Sequence, residues 1–182
     1  EDARVAKFTV TGSTAVGKLL MAQCASGVKK MSMELGGNAP FIVFADADIN
    51  TAVSACMASK MRNAGQTCVS TNRIYVQESV HDEFVDKLRA AMAELQIGHG
   101  CDEGVTVGPL IHRRAAERVK GLVEEAIAAG AKLELGGDFL GAPWPDVAQA
   151  LQVSTFSLEK PAPAWYDRGR DQLVVLDAPL LP

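Results

Sequence analysis

A chain of 182 residues, 48% hydrophobic and 22% charged, is long enough for one domain or two small ones with a real core. A net charge of −4 gives no basic footprint for nucleic acid, and no apolar run approaches the roughly 18 residues that span a bilayer, so neither nucleic acid nor membrane is expected as a partner. Cys24, Cys56, Cys68 and Cys101 form no C-x-x-C pair and no zinc spacing. No metal is therefore expected, and a core-rich chain without a disulfide framework suits a reducing compartment, the cytoplasm or the mitochondrial matrix. His81, His99 and His112 lie near charged or Gly-rich sequence and are expected on the solvated surface. The chain opens at Glu1-Asp2 inside an apparent element, with neither Met nor a signal peptide, and reads as a fragment or a processed form.

Residues 5–10 alternate into a short strand. Gly12-Ser13-Thr14-Ala15-Val16-Gly17 follows, with a helix predicted to begin at Lys18. A strand, a Gly-bounded turn and a helix start make a cradle for an anion. Gly12, Gly17 and Lys18 also fit the G-x-x-x-x-G-K phosphate loop, but Leu19 stands where that motif needs Ser or Thr for a magnesium ion. Residues 28–35 read as a second strand, broken by Gly36-Gly37. Residues 40–44 read as a third, buried strand. Asp46 or Asp48 caps a helix through Ile49, Ala52, Val53, Cys56, Met57 and Lys60 that ends near Arg62-Asn63. Cys56 falls on its apolar face and is expected in the core.

Ala64-Gly65-Gln66-Thr67-Cys68-Val69 then forms a Gly-containing loop ahead of a strand at residues 73–77. Ser79 with Asp82 is expected to start a helix whose Phe84, Leu88, Ala91, Met92 and Leu95 share one face. Residues 97–108 are a Gly-rich loop holding Cys101. An amphipathic helix at about 113–129 is stopped by Gly130, and a strand covers 132–135. Strands alternating with helices predict an α/β fold with parallel strands. Six of the eight prolines lie from Pro143 onward, so an irregular tail is expected there, with only residues 173–176 suited to a strand.

The chemistry concentrates at Cys68 and Glu34. A thiol is a nucleophile that can form and release a thioester, a carboxylate can serve as its base, and the adjoining glycines let backbone and substrate approach closely. With Met33-Glu34-Leu35-Gly36-Gly37 and Gly65-Gln66-Thr67-Cys68 in order, and with Thr11-Gly12-Ser13-Thr14 and Gly17 ahead of them, the chain resembles the aldehyde dehydrogenase superfamily over about residues 5–138. The interval between Glu34 and Cys68 is the family's own. Arg62-Asn63-Ala64-Gly65-Gln66-Thr67-Cys68, followed by Asn72-Arg73, is most similar to the succinate-semialdehyde dehydrogenase subfamily.

The resemblance implies a partial aldehyde dehydrogenase-like α/β fold. Residues 1–34 would be the end of a Rossmann-type cofactor domain, residues 35–138 most of a catalytic domain, and residues 139–182 a divergent tail left by a shifted frame or an alternative exon. It implies NAD or NADP as cofactor, bound by Gly12, Ser13, Gly17 and Leu35, and a small aldehyde as substrate. Cys68 would be the nucleophile, Glu34 the base that activates water against the thioester, and Arg62 the grip on a distal substrate carboxylate. The Cys68 backbone N–H would supply half of an oxyanion hole. Some members of the subfamily carry a second cysteine two residues after the nucleophile; Ser70 stands there, so no local disulfide switch is expected. The family implies a homo-oligomer for a full-length protein. Low activity is expected of the chain by itself, and the other reading is a non-catalytic truncated isoform that acts by association with full-length subunits.

Overall fold

The computed structural model describes residues 2–137, 139, 155–158 and 173–175. The first unit is a strand-helix-strand: β1 (Lys7–Gly12), α1 (Thr14–Ala25) and β2 (Lys30–Leu35). The two strands pair in parallel from Lys7 opposite Lys30 to Gly12 opposite Leu35. The helix starts earlier than Lys18. Ser13 is its buried N-cap, and its Oγ accepts from the Val16 N–H at 3.2 Å, satisfying one of the N–H groups that a helix start leaves open. Gly17 and Lys18 therefore lie within a helix. A phosphate loop needs the backbone between its glycine and lysine free to wrap an anion, so that alternative falls.

The chain changes sheet at Gly36-Gly37. β3 (Ala39–Val43), α2 (Ile49–Lys60) and β4 (Thr71–Val76) form a second crossover unit, with β3 parallel to β4. Asp48, not Asp46, caps α2, its Oδ1 accepting from Thr51 N–H at 2.7 Å. α3 (Glu78–Ala93) follows directly. Its N-cap is Gln77, whose carboxamide oxygen accepts instead from Ala45 N–H at 2.7 Å. The expected Ser79–Asp82 start does not form, because the helix is already under way.

The core lies between β3–β4 and the faces of α2 and α3: Val43, Ile49, Val53, Cys56, Ile74, Val76, Phe84, Val85, Leu88 and Met92. Burying such side chains contributes about 1.5–3 kcal/mol each for the larger ones. Cys56 is fully buried there, as its helical position predicts. Two expectations fail in this layer. The third strand is not buried throughout: β3 is an edge strand, and Ile42 and the following Phe44 are exposed. His81 is not on the surface but buried, its Nδ1 2.8 Å from Asp82 Oδ1, since it falls one turn before Phe84 and Val85 on the inward face of α3.

Beyond α3, Thr106 and Val107 N–H groups bond to Gln96 O at 2.8 and 3.1 Å and close the Gly-rich loop. α4 (Arg113–Ala128) is capped by exposed His112, whose Nδ1 accepts from Ala115 N–H at 2.9 Å. β5 (Lys132–Leu135), β6 (Thr155–Leu158) and β7 (Leu173–Val175) complete a sheet ordered β3-β4-β7-β6-β5. The β4–β7, β7–β6 and β6–β5 pairings are antiparallel, so this sheet is mixed where parallel strands alone were expected. Parallel pairing needs a crossover, and α2 supplies it for β3 and β4. β6 also falls in the stretch expected to be irregular, while β7 lies within the expected strand at 173–176; the other residues from Pro143 onward lie outside the described residues.

Candidate active site

Residues 61–70 leave α2 and return into β4, and side chains fasten the two ends of this loop together. Ser59 Oγ and Thr71 Oγ1 are 2.5 Å apart, buried Lys60 Nζ donates to buried Asn72 Oδ1 at 2.9 Å, and Ser70 Oγ donates to Lys60 O at 3.5 Å. A lysine is buried only when its charge is satisfied, so these bonds fix where the loop begins and ends.

Within the loop a 3-10 turn spans Arg62–Gly65, and Asn63, Ala64 and Gly65 all have left-handed backbone, with φ of 52, 55 and 78°. Asn63 Nδ2 donates to Gln66 O and Gln66 Nε2 donates to Asn63 O, both at 3.1 Å. Thr67 Oγ1 donates to Arg62 O at 3.2 Å. Held by this network, Cys68 stands exposed, and among the described residues its backbone N–H meets no acceptor. That leaves a donor beside the thiol of the kind that stabilises an oxyanion.

Glu34 is exposed at the carboxyl end of β2, opposite Thr11. Three residues later the chain touches the thiol loop: a Cβ on Gly37 would lie 2.7 Å from Cys68 O. Only glycine admits that approach. Arg73 clamps the same segment from β4, its Nη2 and Nε donating to Asn38 O at 2.8 and 3.2 Å. The structure thus brings the strand end carrying Glu34 to the loop carrying Cys68.

Gly12 and Leu35 face each other at the carboxyl ends of β1 and β2, the side of parallel strands where ligands bind in open α/β sheets. Gly17 packs on Leu35: a Cβ there would lie 2.8 Å from Leu35 Cδ1, so its absence seats α1 against β2. The first turn of α1 holds no acidic residue, and Thr14 and Ala15 are exposed. An uncompensated helix start with open N–H groups fits the pyrophosphate of a dinucleotide. The four residues expected to bind the cofactor are therefore adjacent.

Arg62 is exposed at the head of the 3-10 turn, and among the described residues its guanidinium makes no hydrogen bond or ion pair. Cys56 differs from Cys68 in kind: burial pushes its thiol up to about 12, against the opposing pull of the Lys60 charge. Cys101 is exposed, and among the described residues no group of three or more His, Cys, Asp and Glu could hold a metal ion. Sequence reasoning passed over Lys60 and Asn72 as site supports. The signal was present: Lys60 continues the buried stripe of Val53 and Cys56, where a charge needs a partner.

An exposed thiol sits on a loop that a glycine contact ties to the end of the strand carrying an exposed carboxylate, and a strand-turn-helix with an open helix start belongs to the same α/β fold. Residues 1–147 match the aldehyde dehydrogenase family, and the chain belongs to that family. It is 56% identical over 133 residues to glutarate-semialdehyde dehydrogenase of Pseudomonas aeruginosa and 54% identical over 133 residues to the NADP(+) succinate-semialdehyde dehydrogenase of Escherichia coli, in each case 73% of this chain and 28% of the relative. The crystal structure of succinate-semialdehyde dehydrogenase from Burkholderia pseudomallei superposes with a TM-score of 0.80 at 49% identity, over 84% of this chain and 31% of that one. The fold is a partial aldehyde dehydrogenase fold, and the chain spans little more than a quarter of the curated relatives it matches.

Proposed function

We propose that this chain carries the nucleophile and base of an NAD(P)-dependent aldehyde dehydrogenase that oxidises a short semialdehyde with a distal carboxylate, succinate semialdehyde first among them. The observation that carries the reading is the packing of Gly37 on Cys68 O, which brings the segment that follows the Glu34 strand against the backbone of the loop carrying exposed Cys68. The names of the relatives support the substrate class, since both compared dehydrogenases act on ω-carboxylated semialdehydes.

Cys68, as thiolate, attacks the aldehyde carbon, and a C–S bond forms as the carbonyl oxygen takes negative charge. The open Cys68 N–H donates to that oxygen. Gly12, Ser13, Gly17 and Leu35 would hold the nicotinamide cofactor, which when bound would accept the hydride that leaves the thiohemiacetal carbon and so leave a thioester on Cys68. Glu34 then takes a proton from water, whose oxygen attacks the thioester, and the acid leaves as Cys68 is restored. Arg62 offers a planar fork to the far carboxylate of the substrate. The test is alkylation of Cys68 by iodoacetamide with and without succinate semialdehyde, followed by mass spectrometry at each cysteine. Protection of Cys68 and not of Cys101 supports the reading; equal labelling in both conditions removes it.

A further inference from the structure

We propose that Gln66 is a positioning residue for Cys68, tying the strained turn before the thiol to the segment that starts α4. The inference rests on the reading of Cys68 as nucleophile and concerns how that group is held.

Three successive residues, Asn63, Ala64 and Gly65, adopt left-handed backbone. For Ala64 in particular, with its Cβ, that conformation persists only where neighbours over-determine it. Gln66 supplies the neighbours. Its N–H and its Nε2 both donate to Asn63 O at 3.1 Å, and its own carbonyl accepts from Asn63 Nδ2. The other end of its carboxamide leaves the loop: Gln66 Oε1 accepts from Ile111 N–H at 3.0 Å. Ile111 directly precedes His112, the N-cap of α4. One carboxamide thus locks the turn with its donor and registers it to α4 with its acceptor, two residues before Cys68. Glutamate keeps the acceptor and lacks the donor; methionine lacks both at similar length.

The experiment uses the chain of 182 residues, with iodoacetamide as probe and Cys101 as the exposed internal reference. Labelling of buried Cys56 reports general opening. In Gln66→Met the amides of Ser70 and Ile111, hydrogen-bonded in the parent to Thr67 O and Gln66 Oε1, should exchange at least tenfold faster, and the Cys68-to-Cys101 alkylation ratio should change at least threefold while Cys56 stays protected. Gln66→Glu should fall between Gln66→Met and the parent. Ile111→Pro, which deletes the donor outside the loop, should shift the same ratio, whereas Ile111→Ala, which keeps it, should not. An unchanged ratio and unchanged exchange in Gln66→Met would overturn the proposal. So would Cys56 labelling that rises in step with Cys68, or equal effects of the two Ile111 variants. Failure of succinate semialdehyde to protect Cys68 in the parent chain would sink the nucleophile reading instead, whatever the variants do.

Discussion

Gly37 lies so close to Cys68 that a methyl group on it would sit 2.7 Å from the Cys68 carbonyl oxygen. Backbone stands on both sides of this contact, so neither partner can rotate away. Gly37→Ala should therefore move one of the two loops, with a stability loss of about 1–3 kcal/mol typical of overpacking. In an enzyme containing this chain it should also lower aldehyde turnover at least tenfold. Gly100→Ala is the control, since a Cβ there meets nothing within 4 Å. Urea unfolding and steady-state rates of the two variants decide it: equal behaviour would mean that the contact places nothing.

Much of this arrangement was legible in the sequence because it is local. The order of strands and helices through β5 follows from hydrophobic period and punctuation, and Asp48 caps α2 through an ordinary Asx start. The errors came where a local signal met a tertiary one. Gly17 looked like part of a turn, yet it sits inside α1 because Leu35 needs the space. His81 looked polar, yet its spacing from Phe84, Val85 and Leu88 puts it in the core. Ile42 and Phe44 looked like buried strand, yet β3 is an edge. The Gln66–Ile111 bond has no short-range signature, because it joins segments distant in the chain.

The proposed division of labour between Cys68 and Glu34 should separate under substitution. In an enzyme containing this chain, Cys68→Ser should abolish dehydrogenase turnover. Glu34→Gln should still form the first equivalent of reduced cofactor and then stall. Intact-mass spectrometry should find the acyl group on Cys68. Normal steady-state turnover of Glu34→Gln would assign the base elsewhere.

Arg62 is exposed and free of protein partners among the described residues, which leaves its fork available to a ligand. Arg62→Leu should raise KM for succinate semialdehyde about ten- to a hundredfold, the effect of losing a charged hydrogen bond of roughly 1.5–3 kcal/mol. An uncharged aldehyde of similar length should lose little. Equal losses on both would reduce Arg62 to a cation at the end of α2.

Cys56 makes a prediction about pH. Its folded thiol is pushed up from 9.0 to about 12 by burial. A group raised in the folded state contributes its full stability below the unfolded value and loses it as pH rises through the folded one. Stability should thus fall between pH 9 and about 12, by as much as about 4 kcal/mol at 1.36 kcal/mol per unit. Cys56→Val, apolar and of similar size, should flatten that fall. Urea midpoints of both proteins at pH 8, 10 and 11 test it, and parallel curves would show that another group sets the alkaline limit.

The last prediction concerns residues 1–182 by themselves. The chain spans 28% of the glutarate- and succinate-semialdehyde dehydrogenases to which it is similar. It presents Val16, Leu19, Met21, Ile42, Phe44 and Ile111 to solvent. Apolar side chains exposed in that number favour association, and α1 carries three of them. The isolated chain should therefore hold an alkylatable Cys68 yet reduce little or no NAD(P) with succinate semialdehyde, and light scattering should find it larger than a monomer. Absorbance of the reduced cofactor is the direct readout. Turnover of about 1–1000 per second, the range of ordinary enzymes, from a monomeric chain would show that these residues suffice for the whole reaction.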